Sequence, residues 1–166
     1  MYIFSGTVRS NLLIADPDAD DETLLAALEQ VRLLDWVKAQ PQGLDAPVGD
    51  AGARLSGGQR QKLGIARALL SRAEYVIFDE ATSSVDEENE REIWACIGEL
   101  AETRTLIIIS HRLSTIRSAD VIYLIEAGEV RESGTHAQLM AVGGLYRRLV
   151  EEQDALERRG KRRVTV

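Results

Sequence analysis

The sequence predicts an α/β protein in which a helical first part precedes a core built on a parallel sheet. Two runs, Tyr75–Phe78 and Thr105–Ile109, are short, apolar and rich in β-branched residues. Such runs are typical of strands buried on both faces of a parallel sheet. The segment between them, Val85–Ala101, has the length of a helix, so the three together predict a strand–helix–strand crossover.

The first part is predicted to begin with an amphipathic helix. Leu24, Leu25 and Leu28 have the spacing of an apolar helical stripe. Asp20 or Asp21 stands just before this stripe, and an aspartate there can accept hydrogen bonds from the first free N–H groups of a helix.

Further helices alternate with a loop. A short helix is predicted from about Leu33 to Ala39, because Pro41 cannot continue it. Residues 41–58 contain five glycines and two prolines, which predicts a loop. A helix is then expected from Gly58 to about Leu70.

The last third is predicted to contain a hairpin and a helical end. Val121–Ile125 and Glu129–Arg131 flank Ala127-Gly128, which is a hairpin signal. Thr135 and Gln138 have capping-box spacing and predict the start of a helical region.

Composition restricts the classes of protein. The 166 residues are 45% hydrophobic, which favours a folded domain over disorder. Apolar runs such as Val121–Ile125 are far shorter than the roughly 20 residues of a membrane span, and the N-terminus resembles no secretory signal. Cys96 is the only cysteine, so neither an internal disulfide nor a cysteine-based zinc site is expected, and a reducing, cytosolic setting is favoured.

The net charge of −7 argues against nucleic acid as a partner, because non-specific binding depends on basic surface. Five basic residues are concentrated in 158–163. This tail could contact anionic lipid or RNA, but a disordered, solvated terminus is the favoured interpretation.

Two acids follow the first predicted strand. Asp79 and Glu80 should lie beyond its carboxyl end, where ligands bind in open parallel sheets. One carboxylate can hold Mg²⁺ and the other can accept a proton from water. The alternative is a pair of acids that begins a turn.

The string Leu55-Ser56-Gly57-Gly58-Gln59 precedes a predicted helix. Ser56 can cap this helix, and the two glycines let the backbone approach an anion closely. A helix N-terminus is a favourable phosphate site. The alternative is a glycine-rich hinge before an ordinary helix.

Together these strings resemble the nucleotide-binding domain of ATP-binding cassette (ABC) transporters over residues 1 to about 153. Leu55–Gln59 resembles the signature motif, and Tyr75–Asp79 resembles the Walker B strand with Glu80 as the catalytic carboxylate. Ser84–Asp86 resembles the D-loop, and Ser110–Arg112 contains the switch histidine. Segments similar to exporters with a fused membrane domain are Phe4–Asn11, Gly134–His136 and Gly144–Tyr146.

The resemblance implies a set of roles. Leu55, Ser56, Gly57, Gly58 and Gln59 would contact the γ-phosphate of an ATP bound by a second nucleotide-binding domain. Asp79 would hold Mg²⁺, Glu80 would polarise the attacking water, His111 would contact the γ-phosphate, and Asp86 would cross the domain interface. The implied function is ATP hydrolysis that drives export, with ATP and Mg²⁺ as cofactors, and the implied partners are a second such domain and a transmembrane domain. The implied location is the cytoplasmic face of the plasma (inner) membrane.

The chain also departs from the family pattern. No G-x-x-x-x-G-K-[ST] occurs in it, so the phosphate-cradling P-loop is absent. We therefore expect the C-terminal part of a P-loop NTPase (ABC ATPase) domain. Residues 1–72 would form the end of the Q-loop region and the helical subdomain with the signature motif, 73–153 the C-terminal half of the ATPase core, and 154–166 a basic, disordered tail. The loop Pro47–Gly52 keeps one acid, Asp50, where exporters carry several acids and an arginine.

Two other functions are left open. The chain could be a non-catalytic interaction module that presents its signature to a partner. It could also belong to a soluble ABC ATPase of DNA repair or translation, although the exporter-like segments weigh against this.

Overall fold

A computed structural model describes residues 2–79, 87–110 and 112–162 and divides the chain into two compact units, Met1–Ile109 and Ser110–Val166. This division differs from the boundary predicted after residue 72. The reason is that Phe78 and Ile93 share one hydrophobic cluster with the helices before residue 72, so strand and helices form a single unit.

The first unit contains five described helices and two strands. They are α1 (Val8–Leu12), α2 (Asp21–Gln30), α3 (Leu34–Lys38), α4 (Gly57–Leu70), β1 (Tyr75–Asp79), α5 (Glu87–Ala101) and β2 (Thr105–Ile109), with short 3₁₀ turns at Gly43–Asp45 and Asp50–Gly52. The predicted cap of α2 is confirmed as Asp20, whose Oδ1 accepts a 2.9 Å hydrogen bond from the Thr23 N–H. The helix α1 was not predicted, and it begins with a capping box formed by Thr7 and Ser10.

The core of this unit lies around α4, which packs against α1, α2 and α5. Leu24 and Leu28 of α2 and Leu63 of α4 are fully buried in it, as the apolar stripe predicts. Removing large aliphatic side chains from water is the main stabilising contribution to such a unit, at about 25 cal/mol for each Å² buried.

The strands β1 and β2 pair in parallel, with Tyr75 opposite Thr105 and Asp79 opposite Ile109. This confirms the predicted crossover through α5. The prediction that both faces are buried is wrong for this chain. Val76, Phe78, Leu106 and Ile108 face the helices, whereas Tyr75, Ile77, Ile107 and Ile109 are between 47% and 65% exposed. The helices cover only one face of the pair, so the other is left as an exposed apolar surface.

The second unit contains a hairpin and three helices. They are α6 (Leu113–Ile116), β3 (Ile122–Glu126), β4 (Glu129–Gly134), α7 (His136–Val142) and α8 (Leu145–Arg162). Tyr146 lies at the centre of its cluster, fully buried, and its hydroxyl is 2.8 Å from Nδ1 of His136. Burial raises the pKa of this phenol. This contact gives His136 a structural role in the second unit.

A carboxylate joins the hairpin to the last helix. Glu132 of β4 accepts hydrogen bonds from the backbone N–H groups of Leu145, at 2.5 Å, and Tyr146, at 3.1 Å. These N–H groups have no partner within their own helix, and a negative charge at a helix N-terminus is favourable. A side chain on Gly144 would collide with this carboxylate, so glycine leaves the space that the contact needs.

The helix α8 continues to Arg162, past residue 154 at which the basic tail was expected to begin. Two contacts within the second unit hold α8 near residue 154, where the tail was expected to begin. Gln153 Oε1 accepts a hydrogen bond from the Leu113 N–H at 3.1 Å, and Asp154 pairs with Arg117 at 2.5 Å. Over the described ranges, none of the helices combines the length and the apolar character that crossing a membrane requires.

The hairpin closes through Ala127 and Gly128, as predicted. Both residues have positive φ, 53° and 80°, between the paired residues Glu126 and Glu129. Two positive φ values in a two-residue loop define a type I′ turn, whose twist matches that of the strands. Alanine is strained there because its Cβ approaches the following carbonyl.

We predict that Ala127→Asn stabilises the second unit by about 0.5–1 kcal/mol, since asparagine adopts the left-handed conformation at lower cost. Urea unfolding measures the change. Ala127→Val should have the opposite sign, because β-branching increases the strain, and equal stabilities for the two variants would contradict the argument.

We also predict that the chain self-associates through the exposed face of β1 and β2, because large apolar patches and unpaired strand edges promote association. The double variant Ile77→Lys/Ile107→Glu should shift the sedimentation profile toward monomer. Leu156→Lys places a charge at a similarly exposed apolar residue of α8 and serves as the control. A wild-type chain that sediments as a single monomer at micromolar concentration would refute the prediction.

Candidate functional site

The predicted signature residues form the N-terminal turn of α4, in which Ser56 is exposed and Leu55 and Gly58 are buried. Ser56 is the N-cap, and its Oγ accepts a 3.2 Å hydrogen bond from the Gln59 N–H. Gln59 Oε1 in turn accepts a 2.9 Å hydrogen bond from the Ser56 N–H. This reciprocal capping box confirms the predicted cap and fixes the side chains of the turn before any ligand binds.

Two backbone N–H groups at this turn have no acceptor within the helix. The N–H groups of Gly57 and Gly58 belong to the first turn, and no described residue accepts a hydrogen bond from them. These free donors and the positive end of the helix dipole favour an anion.

The residues around the turn hold it against the body of the unit. Leu55 is buried, and its carbonyl oxygen accepts a 2.7 Å hydrogen bond from Nη1 of Arg60. Gly52, at φ 76°, leaves space for the Arg60 side chain, which a Cβ there would crowd at 3.1 Å. The signature turn is thus fixed from both the loop side and the helix side.

The loop before the signature lies against the start of the chain. Val48 N–H donates to the Gly6 carbonyl at 2.9 Å, and Ser5 Oγ donates to the Asp50 carboxylate at 2.7 Å. Asn11 is fully buried. Its Oδ1 accepts a hydrogen bond from the Phe4 N–H, and its Nδ2 donates one to the Phe4 carbonyl oxygen. The exporter-like stretch and the loop with its single acid therefore form one surface.

Sequence analysis did not single out Arg104. Arg104 donates to the carbonyl oxygens of Ala68, at 2.5 Å, and Leu69, at 3.0 Å. These carbonyls belong to the last turn of α4 and have no partner within the helix. Arg104 directly precedes β2, so it ties the far end of the signature helix to the parallel pair.

A second missed contact is an ion pair between α4 and α5. Lys62 Nζ lies 2.5 Å from Glu92 Oε2. The hydrogen bond from this ammonium holds the pKa of Glu92 below its usual range. The two residues are 30 positions apart, and no local spacing rule could have paired them.

Asp79 stands at the carboxyl end of β1, exposed, as predicted. Mg²⁺ is bound in proteins by one or two carboxylates together with substrate phosphates. Over the described ranges no group of three or more His, Cys, Asp or Glu residues could hold a metal ion by itself. A single exposed carboxylate therefore fits a magnesium ion that is shared with a phosphate ligand.

Three predicted site residues, Glu80, Asp86 and His111, lie outside the described residues. Along the chain, Glu80 directly follows β1, Asp86 directly precedes α5, and His111 is the second residue after β2. The structure thus describes the signature turn and Asp79 and gives the elements that flank the other three.

Comparison with known proteins agrees with this arrangement. Residues 3–83 match the family model described as ABC transporter. The chain is 44% identical over 154 residues to an ATP-dependent lipid A-core flippase of Haemophilus influenzae, which aligns 92% of this chain with 26% of the flippase. It is 48% identical over 149 residues to the ATP-dependent lipid A-core flippase of Burkholderia orbicola, covering 90% of this chain and 25% of that protein.

A solved structure is similar over the same extent. The structure of a bacterial Atm1-family ABC exporter with ATP bound superimposes with a TM-score of 0.84 at 35% identity, covering 92% of this chain and 27% of that one. The chain spans about a quarter of the length of the proteins it matches. The predicted fold class, part of a P-loop NTPase (ABC ATPase) domain, is confirmed by this agreement. The chain belongs to the ABC transporter family, as part of its ATP-binding domain.

Proposed function

We propose that the chain supplies the signature turn, the magnesium ligand and the general base of an ATPase that drives export across a membrane. The observation that carries the proposal is the signature turn, whose Ser56 is exposed, whose capping box fixes it, and whose Gly57 and Gly58 N–H groups have no acceptor among the described residues. Catalysis of phosphoryl transfer consists mostly of positioning and charge stabilisation, and such a turn contributes to both.

The signature turn would contact the γ-phosphate of ATP. Gly57 and Gly58 would donate backbone hydrogen bonds to its oxygens, and the Ser56 hydroxyl, whose oxygen already accepts from Gln59, can still donate its own hydrogen. Donors that are fixed in advance need no reorganisation when negative charge develops. Leu55, which is buried in the hydrophobic core of the first unit, would hold the turn against that core.

The carboxylates of Asp79, the last residue of β1, and of Glu80, the next residue, would have different roles. Asp79 would hold Mg²⁺, which offsets the negative charge of the phosphates. Glu80 would orient the attacking water and accept its proton, and His111 would donate to the γ-phosphate. Adjacent residues at the end of a strand point to different sides, which suits two carboxylates with different tasks.

The proposal requires partners. The 166 residues contain no G-x-x-x-x-G-K-[ST], so the cradle for the β- and γ-phosphates would come from another segment. A second nucleotide-binding domain would supply the ATP that faces the signature, with Asp86 at the contact between the domains. A transmembrane domain would carry the transported substrate, with the ATPase on the cytoplasmic face of the plasma (inner) membrane. The relatives named as lipid A-core flippases and the Atm1-family exporter support this assignment.

We predict that the 166-residue chain alone does not hydrolyse ATP, because nothing in it replaces the backbone cradle and lysine of a P-loop. Phosphate release by the purified chain should equal that of the Glu80→Gln variant. Turnover of wild type clearly above this variant would contradict the prediction.

We predict that the chain is active when a relative provides the missing parts. In a chimera, it replaces the matched 154 residues of the Haemophilus influenzae lipid A-core flippase. The chimera should hydrolyse ATP, and Glu80→Gln should reduce turnover about 10²–10⁴-fold while nucleotide stays bound, because glutamine matches the shape of glutamate but cannot accept the proton. Steady-state phosphate release and nucleotide retention are measured together.

Asp79→Asn is the matched comparison in the same chimera. It should weaken nucleotide retention as well as turnover, since the magnesium ligand acts on binding. If Glu80→Gln turns over ATP at nearly the unmodified rate, another group positions the water and the role given to Glu80 is wrong.

A further inference from the structure

Lys62 is a charged residue in an otherwise apolar buried stripe. It is 7% exposed and lies on α4 between Gly58 and Ala66, each one turn away and each buried. An aliphatic side chain would fill such a position at lower cost, because a buried ammonium must be compensated for its lost hydration. Packing alone does not account for a lysine at this position.

The compensation comes from the facing helix. Glu92 Oε2 accepts a 2.5 Å hydrogen bond from the Lys62 ammonium, and Glu92 Oε1 lies 3.4 Å from Nη1 of Arg32. The arginine side chain is 63% exposed, so its share of the interaction is weak. One turn further along α5, Cys96 Sγ lies 3.3 Å from the Gln30 carbonyl oxygen, so α5 is also tied to the end of α2.

The position of this pair connects two motifs. Lys62 follows Gln59 by three residues, so it lies one helical turn, about 5 Å, from the signature turn. Glu92 is the sixth residue of α5, and α5 continues directly from the segment 80–86 that contains Glu80 and Asp86. An apolar contact between two helices permits small sliding and rotation, whereas a short hydrogen bond from the buried Lys62 ammonium to the partly exposed Glu92 carboxylate restricts both distance and angle.

We propose that Lys62 and Glu92 are positioning residues whose ion pair sets the register of α4 against α5, and thereby the placement of the signature turn. The functional part of this inference rests on the proposed ATPase. Its structural part concerns only the order of the signature turn and is tested separately.

The structural test uses hydrogen exchange of the 166-residue chain. The double variant Lys62→Met/Glu92→Gln removes both charges and leaves no buried charge alone. Exchange of the Ser56 and Gln59 amides, which close the signature capping box, should become about tenfold faster. The second unit has a capping box of the same form, in which Thr135 and Gln138 exchange hydrogen bonds of 2.9 and 3.2 Å. Its amides are the internal control and should not change.

A second, more conservative variant distinguishes a local effect on the signature turn from a general loss of the fold. Glu92→Asp keeps the charge but withdraws the carboxylate by one methylene, so it should accelerate exchange at Ser56 and Gln59 by a smaller factor, again without change at Thr135 and Gln138. Unchanged exchange of the signature amides in both variants would overturn the proposal, whatever the chain's activity.

The functional test uses the flippase chimera. Both variants should lower kcat for ATP, the double variant about tenfold, while KM changes less than twofold, because the signature acts when the γ-phosphate reacts and the main nucleotide contacts lie elsewhere. Arg117→Gln breaks another 2.5 Å ion pair, in the second unit, and should leave kcat unchanged. A kcat within twofold of the unmodified chimera for the double variant would mean that the pair is only structural. A chimera inactive in every form would refute the proposed function, while the exchange experiment still decides the positioning role.

Discussion

The first unit depends on the burial of one helix, α4, whose N-terminal turn must nevertheless stay at the surface. Three helices enclose α4, and its side chains Leu63 and Ile65 are fully buried. Its two ends are held by polar contacts, the capping box at Ser56 and the Arg104 guanidinium at the last carbonyls. The hydrophobic core therefore fixes the helix, and the polar contacts fix where the helix begins and ends. A turn held in this way presents its backbone donors without a loop that must first become ordered.

Structural features that depend on residues close together in the sequence were predicted well. The caps at Asp20 and Ser56 were predictable because a side chain bonds a backbone group three residues away. The turn at Ala127 was predictable because a two-residue loop between strands restricts φ. The two apolar strand runs and the signature string were likewise recognisable from consecutive residues alone.

Contacts between distant residues could not be predicted in the same way. Arg104 and Ala68 are 36 positions apart, and a single arginine near a helix end gives no sign of its acceptor. The apolar run at Ile77 predicts a strand but does not say what covers each face of it. At the start of the predicted tail, Gln153 and Asp154 have partners at distant positions, Leu113 and Arg117, of which the sequence gives no sign. The candidate site was predicted from its motifs, but the contacts that position it were not.

The Glu132 carboxylate has a consequence for how the second unit can diverge. It occupies the space in which any side chain at position 144 would have to stand, while bonding the N–H groups that open α8. Neither position can therefore change freely while the other stays as it is. A side chain gained at 144 would push this carboxylate, the far end of a flexible side chain, away from the Leu145 and Tyr146 N–H groups, so the start of α8 would lose its acceptor while its backbone could stay in place.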